Sequence, residues 1–120
     1  MRNSRQSVVY EKAFDFAVKI INVYRNLVEQ KREQVLSKQL LRAGTSIGAN
    51  IREGLEGQSK KDFISKLSIA LKEATETEYW IELLNETSYI DKKQAELLLK
   101  DIEEIIRMLN AIIKSSKQAI

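Results

Sequence analysis

Five glutamates crowd one stretch of the chain: Glu73, Glu76, Glu78, Glu82 and Glu86. Glu78 and Glu82 lie one helical turn apart, and paired carboxylates on a helix can hold di-metal sites in bundles. Those sites normally also use Glu-x-x-His motifs, and the chain has no histidine. The second polar group is Arg42, Thr45, Ser46, Asn50, Arg52 and Glu53, within "LLRAGTSIGANIREGLEG". That stretch also holds all four glycines, Gly44, Gly48, Gly54 and Gly57. A phosphate loop would need Lys-Ser or Lys-Thr after its second glycine, but Ala49 and Asn50 follow Gly48. A dinucleotide loop would need a preceding strand, and none is readable. With no cysteine there is no disulfide, thiolate nucleophile or cysteine metal site, and without histidine the usual general base is missing. A carboxylate metal site is the formal remainder. The residues point away from an enzyme, and no catalytic residue, metal or cofactor is expected.

The elements that would carry these residues are helices. The chain has 120 residues and no proline, which favours long uninterrupted helices. Tyr10, Ala13, Phe14, Ala17, Ile21, Tyr24 and Val28 recur at helical spacing, with Ser7 as a candidate N-cap. Leu36, Leu40, Ala43, Ile47, Ile51 and Leu55 continue the same spacing through Gly44 and Gly48, so the glycine stretch reads as a helix. Gly44 and Gly48 would then let another helix approach closely, and Gly54 or Gly57 would supply the C-terminal stop. Ser59 with Asp62 resembles a capping box ahead of a third stripe: Phe63, Leu67, Ala70, Leu71, Ala74, Ile81 and Leu84. Asp91 can cap a fourth helix, whose stripe is Ala95, Leu98, Leu99, Ile102, Ile105, Ile106, Leu109, Ile112 and Ile113. The expected fold is all-α, a single up-down-up-down four-helix bundle over residues 1–120 with helices at about 8–29, 34–54, 60–86 and 91–117.

In that frame Asn50 borders the core face and reads as a buried amide satisfied across the bundle. Glu78 is expected to pair with Arg42, so that Arg42, Asn50, Glu53 and Glu78 form a candidate buried polar network. Opposite the third core stripe, Ile69, Trp80 and Leu83 share a face that a monomer would leave in water. The first helix is wide too: Val9, Phe16, Ile20, Val23 and Leu27 flank its stripe. Ile69, Trp80, Leu83, Phe16 and Val23 are therefore the candidate oligomer interface.

The net charge is +3, distributed unevenly. Residues 1–32 carry seven Lys/Arg against three Asp/Glu. Arg2, Arg5, Lys12, Lys19, Arg25, Lys31 and Arg32 are thus candidate contacts to RNA or DNA, against the plainer reading of a solvated helix face. The start "MRNSRQSVVYEK" has no apolar core of a signal peptide, and no run nears the ~18 apolar residues of a membrane span. A soluble cytoplasmic protein with no membrane partner is expected.

Three segments carry a resemblance: "LLRAGTSIGANIREG", "DFISKLSIALKEATETEYWIELL" and "IEEIIRMLNAIIKSSK". With "YEKAFDFAVKIINVY" fitting the opening helix, the chain resembles the four-helix-bundle family encoded in intervening sequences of bacterial 23S ribosomal RNA genes, also called the S23 ribosomal protein family. The resemblance implies no established catalytic residues and a ring-forming homo-oligomer, with the homopentamer as the expected assembly. A related group, the accessory variability determinants of diversity-generating retroelements, forms similar basic rings that associate with a reverse transcriptase and nucleic acid. Two functions follow from the residues and the resemblance together. One is a non-catalytic, self-associating structural or interaction protein. The other is a basic nucleic-acid-binding accessory that partners a reverse transcriptase.

Overall fold

Asn3 sets the start of the first helix. Its side chain accepts from the Gln6 N–H while the Gln6 side chain accepts from the Asn3 N–H, a reciprocal cap that starts the helix earlier than Ser7. In the computed structural model, which describes residues 3–118, the elements are α1 (Ser4–Glu29), α2 (Val35–Leu55), α3 (Lys60–Glu86) and α4 (Lys92–Gln118). Ser59 caps α3 by accepting from the Asp62 N–H, and Asp91 caps α4 by accepting from the Gln94 N–H. The helices form an up-down-up-down bundle of 48 × 21 × 19 Å. Each packs on its neighbour in sequence, and α1 closes the ring against α4 by the lightest seam.

Helix α2 runs unbroken through Gly44 and Gly48. Both are buried against α1, but not equally tightly. A Cβ on Gly44 would stand 2.9 Å from Cγ2 of Ile20, whereas one on Gly48 would meet the Ala13 backbone at an ordinary 3.7 Å. Gly54 is a third close contact: a Cβ there would come within 2.9 Å of Cδ1 of Leu67 on α3. It lies inside α2, which is followed by Glu56 as its C-cap, and no described glycine adopts a positive φ. Gly54 is therefore not the stop; Gly57 directly follows the cap residue and its N–H donates to the Gly54 carbonyl, but without the left-handed turn of a glycine cap. The left-handed positions are Arg32 (φ 58°) and Ser88 (φ 68°), in the turns after α1 and α3.

The core phase of α1 differs from the expected one. Val9, Ala13, Phe16, Ile20, Val23 and Leu27 are buried, while Phe14, Val18 and Ile21 face solvent. Both stripes have helical spacing. The stripe through Phe16 turns inward because Ala13 and Ile20 are the residues that meet the two glycines of α2. Phe16 and Val23 are thus core residues, not an oligomer surface. On α3 the stripe is completed by Thr77, fully buried, whose hydroxyl donates to the Glu73 carbonyl one turn back.

The start of α2 is held by a residue that sequence patterning passes over. The buried Glu33 carboxylate accepts from the N–H groups of Val35, Leu36 and Ser37 at 2.7–3.0 Å, and the Ser37 hydroxyl returns to the Glu33 carbonyl. Burial pushes this carboxyl up, but the three N–H donors outweigh it and hold it below the ordinary glutamate value. Its folded value is depressed, so its contribution is complete above the ordinary carboxylate range and is lost as pH falls through the folded value.

Two predictions follow from this packing. Gly44→Leu overpacks against Ile20 and should lower stability by about 1–3 kcal/mol, whereas Gly48→Ala finds room and should be neutral or gain up to about 1 kcal/mol from helix propensity. Gly48→Leu, too long for the Ala13 contact, should fall on the destabilising side. Urea midpoints of the three variants decide, and equal midpoints for Gly44→Leu and the parent would refute the close contact. Glu33→Ala should cost about 1 kcal/mol at neutral pH, with the gap from the parent narrowing in melts taken below about pH 4. A gap that holds constant into acid would exclude a charged cap.

Candidate interaction surface

The residues proposed as a buried polar network do not come together. Arg42, half exposed on α2, pairs across to α3 with Glu73 at 3.1 Å and with Glu76, not with Glu78. Asn50 donates to the Ser46 carbonyl within its own helix, at 2.8 Å, and bridges nothing. Glu53 is exposed and pairs with Lys66 of α3 at 3.0 Å. Glu78 sits on the other side of α3, half-buried, near Glu82 and Glu103. Burial, and then these two carboxylates, push the Glu78 carboxyl above its ordinary value. The reason for the miss is angular: Arg42 reaches outward over the α2–α3 seam, and Glu78 faces the α4 side. No group of three or more His, Cys, Asp or Glu side chains among the described residues is placed to hold a metal ion.

What the structure does bring together is apolar. On α3, Ile69 and Tyr79 are exposed and Trp80 and Leu83 are half-buried. Tyr79 packs edge-on to Trp80 with centroids 5.0 Å apart. The Trp80 indole N–H donates to the Glu76 carboxylate at 2.9 Å, and that same carboxylate takes Arg42. Trp80 and Arg42 hold the Glu76 carboxyl below the usual range. The indole is thereby fixed in direction while its ring remains partly in water. Three of the five residues expected at an interface, Ile69, Trp80 and Leu83, do lie on this face; Tyr79 was missed although it adjoins Trp80.

On α1 the exposed stripe is Phe14, Val18 and Ile21, bordered by half-buried Tyr10. Arg52 of α2 donates to the Tyr10 hydroxyl at 3.1 Å and lies 5.8 Å from its ring centroid, within cation–π range. Tyr10 in turn tilts against Phe14 at 6.4 Å. The two apolar stripes therefore flank α2 on opposite sides, one tied to it through Arg52 and Tyr10, the other through Arg42 and Glu76. Between them the exposed side chains of α2 are polar or small, among them Lys38, Gln39, Ala49 and Glu53, apart from Val35 at its first turn.

The candidate nucleic-acid residues are scattered. Lys12 pairs with Glu104 at 3.0 Å and Lys19 with Asp101 at 2.6 Å, both across the α1–α4 seam. Arg5 is exposed at the start of α1, while Arg25, Lys31 and Arg32 lie exposed toward its other end. Arg2 lies outside the described residues. Beside Lys19 the seam opens into a groove of about 590 Å³ lined by Asn22, Asn26, Gln94 and Leu97. No helix is long and apolar enough to cross a membrane, among the described residues.

Residues 5–111 match the model of the 23S rRNA-intervening sequence protein family. The chain belongs to that family. A crystal structure of a protein of unknown function from the S23 ribosomal protein family of Bacteroides thetaiotaomicron superposes with a TM-score of 0.90 at 55% identity, covering 92% of this chain and 98% of that one. No match is found among curated proteins. The intervening-sequence family is thus represented here by its four-helix bundle, and the bundle is what must be read for function.

Because Glu78 has its folded value raised, its charge destabilises the bundle at neutral pH, and that penalty is relieved as pH falls through the raised value. Glu78→Gln should therefore stabilise the protein at neutral pH, by about 0.3 kcal/mol or more from removal of the Glu78–Glu82 repulsion. The gain should vanish in acid. Thermal melts of parent and variant at both pH values test this, and a destabilised variant at neutral pH would contradict the repulsive cluster.

Proposed function

We propose that this intervening-sequence protein is a non-catalytic, soluble cytoplasmic protein that works by assembling with copies of itself, closing as a ring of five. The observation that carries the proposal is the pair of unlike apolar stripes on either side of α2. A surface that used one stripe twice would give a two-fold dimer. Two different stripes favour head-to-tail contact, α1 of one copy against α3 of the next, and such contacts close into rings when the rotation allows. Trp80 and Tyr79 supply the large, geometrically fixed aromatic area typical of interface anchors. The surface is also generous: the accessible area is 7384 Å², against about 6,600 Å² for a compact monomer of this mass. The number five is carried by the family resemblance alone.

Light scattering on a sizing column at micromolar concentration should give five times the monomer mass. A monomer overturns self-association, and another stoichiometry overturns the five-membered ring. Trp80→Glu and Phe14→Glu should each dissociate the assembly with helical circular dichroism retained, because Phe14 is exposed and Trp80 lies at the margin of the core with its ring partly in water. Phe16→Ala should instead unfold the chain or lower its stability by about 3–5 kcal/mol, being fully buried. If Phe14→Glu leaves the mass unchanged, α1 is not part of the contact.

A further inference from the structure

The α1–α4 seam closes over only part of its length. Lys12–Glu104 and Lys19–Asp101 set an antiparallel register between the two helices. Continued past Lys19, that register brings Val23 level with Leu97 and Asn26 level with Gln94. Lys19, Asn22, Val23 and Asn26 stand at i, i+3, i+4 and i+7, one face of α1, and Gln94, Leu97, Leu98 and Asp101 repeat that spacing on α4. Asn22 and Asn26 could interlock with the two leucines only by burying their amides, which is costly without partners. The helices instead leave a groove between them, about 10 Å long from the i to the i+7 residue. Its volume of about 590 Å³ lies within the ~300–1,000 Å³ of small-molecule sites.

The groove has three parts. Its middle is apolar and opens the edge of the core: Val23 and Leu98 keep 6% and 4% exposure, and Leu97 is 59% exposed. At the Lys19 end it holds two ammonium groups, Lys19 and Lys100, and one carboxylate, Asp101, a local charge of +1. Lys19 answers Asp101, while Lys100 is exposed and has no carboxylate partner among the described residues. At the other end stand Asn26 and Gln94, whose side-chain amides make no hydrogen bond among the described residues.

We propose that this groove binds a small monocarboxylate with an apolar body, its carboxylate toward Lys100 and Lys19 and its body along Val23, Leu97 and Leu98. The charges select the head group. One carboxylate brings the lysine end to neutrality, whereas a multiply charged anion would overcompensate it beside Asp101. A neutral apolar molecule would leave Lys100 unanswered. The amides of Asn26 and Gln94 stay in water, so they limit the apolar body to about the 10 Å between the two ends. Neither of the apolar stripes beside α2 lines the groove. The site is complete within one chain and does not rest on self-association.

The test is isothermal titration calorimetry of the full chain with octanoate, with light scattering on the same samples. Octanamide serves as the uncharged counterpart and inorganic phosphate as an anion without an apolar body. Octanoate should saturate at one molecule per chain and bind about two- to fivefold more tightly than octanamide at low salt. Phosphate should not bind. Lys100→Gln should abolish the preference for octanoate and leave octanamide binding unchanged. Leu97→Gln, at an exposed position, keeps the fold and should weaken both ligands about threefold or more. The control Val35→Gln, exposed on α2, should bind as the parent does. No saturable binding of octanoate by the parent overturns the proposal. So does equal binding of octanoate and octanamide, or a Leu97→Gln variant that binds as tightly as the parent. An assembly mass that falls with Leu97→Gln alone would mean that a second copy covers the groove, and would overturn it too.

Discussion

A side chain on Gly44 would have to share space with Ile20, and that contact sets how near α1 and α2 can come and how α1 is turned. With Ala13 and Ile20 against the two glycines, Val9, Phe16, Val23 and Leu27 must face the core. The same rotation turns Phe14, Val18 and Ile21 away from it. The exposed stripe on α1 is thus a geometric consequence of the core. Gly54 repeats the device on the other side, where α2 meets Leu67 of α3. Helix α2 is narrow on both flanks, and the bundle is gathered around it.

Polar contacts follow that packing and do little to create it. Arg42, Arg52, Lys12 and Lys19 all span seams between helices, but their side chains are at least partly in water, where an ion pair is worth about 0–1 kcal/mol. Their consequence is directional. Arg52 steadies Tyr10, and the Glu76 carboxylate, shared between Arg42 and the Trp80 N–H, fixes the indole. Aromatic rings at a surface normally lose rotamer freedom when they are covered. Here part of that ordering is already present.

The helices themselves were legible in the sequence. Absent proline, clean stripes in α2 and α4, and the caps Ser59 and Asp91 place three of the four starts within a residue or two. The phase of α1 was not legible from spacing, because two apolar stripes with the same period lie side by side. Side-chain character held the signal that spacing lacked: the outward stripe has Tyr10 and Tyr24, whose hydroxyls seek water, and the inward one has none. Glu33 was missed because it stands two residues ahead of the helix it caps and carries a longer side chain than the usual cap residues. Asn50 was assigned a partner across the bundle, but an amide in a helix can satisfy itself on the carbonyl one turn back, and it does. The apolar face of α3 was legible at Ile69, Trp80 and Leu83, which recur at helical spacing away from the core stripe and are exposed or half-buried.

The lightest seam, between α1 and α4, carries a kinetic meaning. Every other helix pair in contact is joined by a short turn, so most of the bundle is assembled from segments that are already near one another along the chain. Only the first and last helices must find each other across the whole length, and they do so with the fewest contacts, helped by Lys12–Glu104 and Lys19–Asp101. Closing that joint carries the largest loop-closure entropy of the four seams, while the other three join helices adjacent in sequence, a topology dominated by local pairings. The groove beside Lys19 lies at this joint.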